Sequence, residues 1–238
     1  MTTSISDLTL VRDMPLDPRY RAVCFDMDGT LLNTHPRYDL MTQLIYDEFA
    51  KCGVPEELMR SEGNKFDLDS GREWITKNLS EEAYNRIFPA TADRMLEIEL
   101  EGLPRAEEFP RSKELLTKLR EMGYKTGVLT RGGREYADTA LNMFGMMDYL
   151  DGVVARDDFA DSEAKPSPVA MRHMGDAIGV RPEEILYLGD NRMDFICARD
   201  SGAGFIAVSS GTFSEYDWHM VDPEICVYPT ISSLLEFI

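Results

Sequence analysis

The chain has 238 residues, 43% of them hydrophobic and 29% charged, with 43 acidic against 25 basic side chains and a formal net charge of -18. That length supports one large domain, or a domain with an insert, and the composition is that of a globular protein. So acidic a surface repels phosphate backbones and anionic lipids, which argues against nucleic-acid and membrane partners; an anionic substrate would need local positive charge or a metal to be held.

In chain order, Met1 to Tyr20 holds no apolar core for a secretory signal and reads as a short arm. Ala22 to Phe25 is a continuous apolar run, hence a buried strand, and it ends abruptly in Asp26, with Asp28 and Gly29 close behind. From Thr34 to about Leu103 no strand pattern is visible. Leu40, Met41, Leu44, Ile45 and Phe49 mark an amphipathic helix stopped by Gly53. Further helices are expected around Trp74, Ile75 and Leu79, over Ala83 to Phe88, and over Thr91 to Leu100. The segment Asp67 to Ile75 (DLDSGREWI) reads as a loop in which Ser70 or Asp69 caps the helix carrying Trp74.

Beyond the returning linker, marked by Leu103-Pro104 and Phe109-Pro110, strand and helix patterns alternate. Strands are expected at Tyr124 to Leu129, Gly152 to Ala155, Ile185 to Leu188 and Phe205 to Val208. Leu115, Leu116, Leu119 and Met122 share one helix face before Gly123. Ser167-Pro168 opens a second helix that Gly179 closes, and Asn191 to Ser201 forms a third, ended by Gly202. Fully apolar strands alternating with helices mean an α/β fold, a parallel sheet covered on both faces. In such sheets ligands sit beyond the carboxyl ends of the strands. Four groups fall there: Asp26 with Asp28, Thr130, Lys165 before a helix, and Asp190 with Asp194.

These groups, in DMDGT, the apolar run ending in Thr130, the lone lysine of KPSP, and GDNRMD, resemble the motifs of haloacid-dehalogenase superfamily hydrolases with a helical cap after the first strand. The resemblance covers about Arg21 to Val208 and lies nearest the phosphoglycolate phosphatase group. It implies a Rossmann-like three-layer core over residues 1–33 and 105–238, with a helical cap over 34–104. It also implies that Asp26 is a nucleophile toward phosphorus. Asp28 would be the acid–base group, Thr130 would hold the phosphoryl group, and Lys165 would offset charge. Mg2+ would be held by Asp26, the Asp28 backbone carbonyl and Asp190, with Asp194 bound directly or through water. Asp28 argues against carbon–halogen chemistry, because family dehalogenases lack an aspartate there.

The expected activity is therefore a Mg2+-dependent phosphatase of a small phosphorylated metabolite, in the cytoplasm, as a monomer or homodimer. A sugar phosphomutase of the beta-phosphoglucomutase type shares the motifs, and a non-catalytic phosphate-ligand binding protein on this scaffold is the reading from another class. Two positions depart from the commoner pattern: Asn33, where an aspartate is frequent, and Arg131, which would either reach a second anionic group of the substrate or face solvent. Arg72, in the cap, is a further candidate substrate contact, weighed against a solvent-facing role. Read singly, each motif is unremarkable, since DxDG is commonly a turn and an acid at Asp194 also suits a helix dipole. His35, His173 and His219 read as polar surface or entrance residues. The four cysteines form no CxxC pair and read as reduced thiols, and the 14 methionines as core filler. GAGFIA, Gly202 to Ala207, formally fits GxGxxA, but its glycines follow a helix and open a strand, the reverse of a dinucleotide turn.

Overall fold

The computed structural model describes residues 16–59 and 68–238. Most of the expected arm, and Asp67 of the expected cap loop, lie outside them. The chain divides into two compact units, one of residues 1–34, 105–159 and 163–238 and the other of residues 35–104 and 160–162.

The larger unit is built on six parallel strands: β1 (Ala22–Phe25), β4 (Lys125–Leu129), β5 (Gly152–Val154), β6 (Ile185–Gly189), β7 (Gly204–Val208) and β8 (Val227–Tyr228). They lie in the order β5-β4-β1-β6-β7-β8. All four residues of β1 are fully buried. Alternate side chains of a strand point to opposite faces, so full burial means both faces are covered. On one face, Ala22 and Cys24 pack with Met171 and Met174 of α7 (Pro168–Ile178) and with Cys197 and Ala198 of α8 (Arg192–Ser201). Helix α5 (Ser112–Glu121) buries Leu115, Leu116 and Leu119 of the predicted stripe, whereas Met122, its C-cap residue, is exposed; α6 (Arg134–Met143) follows β4. Gly179 ends α7 and Gly202 ends α8 in left-handed conformations, where glycine carries no Cβ penalty. A two-residue antiparallel pair, β2 (Leu32–Asn33) and β3 (Glu107–Glu108), joins the points where the chain leaves and re-enters this unit.

The smaller unit is helical: α1 (Tyr38–Lys51), α2 (Leu68–Asn78), α3 (Glu81–Asn85) and α4 (Ile87–Gly102). Ile45, Tyr46, Phe49, Ile75, Tyr84, Ile87 and Met95 form its core. Two expectations need correction here. The segment containing Ser70, Gly71 and Arg72 is helix, not loop, and Asp69 and Ser70 lie within it rather than ahead of its start. Gly71 is tolerated inside the helix because the Phe49 ring packs against its backbone, where a Cβ would collide. The third and fourth helices also divide elsewhere, with Phe88 in α4 rather than the third helix. Pro89 sits in the first turn of α4, where the missing N–H costs no helix bond. The short β8, the β2–β3 pair, α6 and α9 (Glu215–Val221) were not anticipated.

Candidate active site

Strand order decides what meets. β1 lies between β4 and β6, so the residues just beyond three adjacent strands converge, although far apart in sequence. Asp26 follows β1 and continues its ladder, donating its N–H to the Leu188 carbonyl at 2.8 Å. Thr130 follows β4, Asp190 follows β6, Lys165 lies two residues before Ser167, the N-cap of α7, and Asp194 lies in the first turn of α8.

At the centre is the Lys165 ammonium. It donates to Asp26 Oδ1 at 2.6 Å, to Asp194 Oδ1 at 2.6 Å and to the Tyr187 hydroxyl at 2.9 Å. Tyr187, on β6, donates in turn to the Leu129 carbonyl at 2.8 Å. Lys165, Asp26, Asp190 and Asp194 are each at most 4% exposed. Asp26, Asp190 and Asp194 each offer a carboxylate oxygen, the three within 4.8 Å of one another. Asp190 is fixed from the other side by the Thr212 N–H on Oδ2 at 2.5 Å.

This is an unbalanced site, three buried carboxylates around one ammonium. Burial, against the pull of Lys165 and with the push of Asp194, Asp190 and Asp28, raises the Asp26 carboxyl well above its ordinary range. Burial likewise raises Asp194 against the pull of Lys165, with Asp190 adding to the rise. For Lys165 burial alone would favour the neutral amine, but Asp194 and Asp26 outweigh it and hold the ammonium charged.

The backbone turn after Asp26 brings Gly29 against Asp190. Gly29 has φ +86°, and a Cβ there would lie 2.5 Å from Asp190 Oδ2, so both conformation and space require glycine. Asp28 is half-buried and does not join the three-carboxylate cluster. Its Oδ1 accepts from the Tyr136 hydroxyl at 2.5 Å and from the Thr34 hydroxyl. Asp194 combines two readings of its position. Its Oδ2 accepts the Asn191 N–H at 3.2 Å as half of a capping box, while Oδ1 faces Lys165.

The other candidates lie as follows. The Thr130 hydroxyl accepts the Gly132 N–H at 2.9 Å. Arg131 is half-buried, and its carbonyl accepts from Arg156 at 3.0 Å. Arg72 belongs to the smaller unit, where its guanidinium lies 4.9 Å over the Tyr84 ring. Asn33 sits in β2 opposite Glu107. His173 pairs with Glu163 at 2.8 Å and stacks on Phe159, and His35 is exposed. Sequence reasoning missed Tyr136 and Tyr187. Tyr187 in an apolar run, and Tyr136 on the buried face of a helix, look like core, and only their hydroxyl partners distinguish them from it.

The model of the haloacid dehalogenase-like hydrolase family matches residues 23–208. The chain is 28% identical over 186 residues to the validoxylamine A 7'-phosphate phosphatase of Streptomyces hygroscopicus subsp. limoneus, covering 77% of this chain and 83% of that protein. It is 24% identical over 209 residues to the phosphoglycolate phosphatase of Mannheimia succiniciproducens, covering 86% and 91%. The crystal structure of a phosphatase from Thermococcus onnurineus superposes with a TM-score of 0.57 at 24% identity, over 91% of this chain and 96% of that one. At that identity the likeness speaks for the fold alone.

Proposed function

The chain belongs to the haloacid dehalogenase-like hydrolase family, and from that membership we propose that it is a Mg2+-dependent phosphomonoesterase. Its substrate would be a small phosphorylated metabolite of the phosphoglycolate type, cleaved through an aspartyl-phosphate on Asp26. Two of its relatives are named as phosphatases. The observation that carries the reading is the Lys165 ammonium bound at 2.6 Å to both Asp26 and Asp194, with Asp190 closing a cluster of three buried carboxylates.

The donor set fits Mg2+. It consists of hard oxygens, and its negative charge exceeds what one ammonium offsets. Asp26, Asp190, Asp194 and the Asp28 carbonyl would hold the ion, which would supply charge neutralisation at the transferring phosphoryl group. The chain's own residues do the rest. An Asp26 oxygen attacks phosphorus as the bond to the leaving oxygen breaks, and the Asp28 carboxyl gives that oxygen its proton. In the second half-reaction Asp28 takes the proton back from a water that attacks the aspartyl-phosphate, freeing inorganic phosphate and Asp26. The Thr130 hydroxyl and Lys165 bind the phosphoryl oxygens, and Lys165 keeps Asp26 oriented. In this reading residues 34–104 form the cap, residues 1–33 and 105–238 the core, and the protein works in the cytoplasm.

The test is a panel of phosphate esters, 2-phosphoglycolate included, scored for inorganic phosphate with Mg2+ and with excess EDTA. Mg2+-dependent release is expected. Full activity in EDTA, or an isomerised sugar phosphate without phosphate release, would reject the reading.

A further inference from the structure

Asp28 is held by two hydroxyl groups on one oxygen. One is Thr34, at the end of the β2 segment. The other is Tyr136, which comes from α6, 108 residues away, and donates to Asp28 Oδ1 at 2.5 Å. Tyr136 is only 2% exposed. Its ring also supports the loop after β4: a Cβ on Gly132 would lie 2.7 Å from Tyr136 Cδ1 and 3.4 Å from the Thr130 hydroxyl oxygen. One side chain therefore touches both the loop beside Thr130 and the Asp28 carboxyl.

A carboxyl turns easily about its last torsion, whose wells are broad. A single donor leaves that rotation largely open, whereas a second donor on the same oxygen, from a buried ring that cannot swing, closes it. The donor type also matters. A lysine or arginine in this place would bring positive charge to a site whose carboxylates must retain charge for a cation. A phenol fixes the carboxyl and adds none.

We propose that Tyr136 is the positioning residue for Asp28, setting the carboxyl relative to the Thr130 loop so that it meets the leaving oxygen. The inference rests on the acid–base role proposed above for Asp28. A tyrosine serving only as core filling would have the same burial but no bearing on proton delivery.

Tyr136→Phe keeps the ring under Gly132 and removes the hydroxyl that donates to Asp28. The measurement is single-turnover formation of acid-trapped phosphoenzyme, from a simple alkyl phosphate and from p-nitrophenyl phosphate. Loss of one orienting hydrogen bond should slow formation from the alkyl ester about 10-fold. Formation from the p-nitrophenyl ester, whose leaving group departs without a proton, should stay within about 2-fold. Wild-type formation from the alkyl ester, or equal slowing with both esters, would overturn the assignment to Asp28. Absence of phosphoenzyme from wild type with either ester would instead remove the aspartyl-phosphate reading and this inference with it. A melting temperature within a few degrees of wild type is expected for Tyr136→Phe. As a second variant, Tyr136→Leu, which also removes the support under Gly132, should slow both esters, and selective slowing of the alkyl ester alone would contradict the role given to the ring.

Discussion

Lys165→Met is the substitution on which the electrostatic account of the site can be tried most severely. The ammonium is 2% exposed and is bound to Asp26 and Asp194 at 2.6 Å each. Methionine fills a similar volume but leaves two buried carboxylates without their cation, and breaking such a pair costs about 3–5 kcal/mol. For a chain of this size 1 kcal/mol moves the melting temperature by about 2–4 °C, so the drop should be about 6–20 °C in EDTA. It should be larger at pH 8 than at pH 5, because the orphaned carboxylates can take up protons at the lower pH. Asp26→Asn alone removes one of three crowded charges and should be near neutral. In Lys165→Met/Asp26→Asn part of the loss should return, giving a coupling of about 1–3 kcal/mol in a urea-unfolding cycle. If Lys165→Met melted within about 2 °C of wild type, or if the cycle were additive to within about 0.5 kcal/mol, the ammonium would not be the centre of this site.

On the proposed mechanism, Asp26→Asn should abolish phosphate release by at least about 10³-fold while the circular dichroism stays native, since no other group would replace the proposed nucleophile. Asp28→Asn should slow an alkyl ester by about 10²–10⁴-fold, more than p-nitrophenyl phosphate, and should leave Mg2+ affinity, read by calorimetry, nearly intact. Asp26 and Asp194 keep their protons to higher pH in the fold than in the unfolded chain, through burial first. The native state therefore binds more protons above about pH 4, and this contribution to stability falls as pH rises through that window. Melting in EDTA should accordingly fall less between pH 5 and 8 in Asp26→Asn/Asp194→Asn than in wild type, and equal falls would count against the raised carboxyls. Gly29→Ala, at φ +86° with its Cβ 2.5 Å from Asp190, should cost about 2 kcal/mol or more in urea unfolding; wild-type stability would mean the turn is not constrained as described.

Much of the core was legible because its strands are buried on both faces. Ala22–Phe25 and Ile185–Gly189 carry no charged residue to blur the pattern, and Gly179 and Gly202 mark helix ends that only glycine makes cheaply. The strand-end polar groups stood out for the same reason, as abrupt breaks in greasy runs. What escaped notice had weak local signals. Val227–Tyr228 is too short for periodicity and is a strand only because β7 lies beside it. The residues around Gly71 have turn-forming composition, yet they lie in α2, where the Phe49 ring packs against Gly71, a tertiary contact the local sequence does not reveal. Tyr136 and Tyr187 reach Asp28 and Lys165 across 108 and 22 residues, a proximity no sequence pattern encodes.

The central place of β1 has a consequence for synthesis. Ala22 pairs with Lys125 on one side and with Ile185 on the other. At roughly 5–20 residues per second the ribosome needs about 5–20 s to supply the first of these partners, and longer for the second. Through that interval an apolar strand waits with both edges open, while the helical insert, rich in local contacts, can fold ahead of it. The strand bearing Asp26 thus waits longer for its second neighbour than β4, β6 or β7 waits for its own. A chain halted before Ile185 would leave open the edge of β1 that β6 covers, for a chaperone to shield.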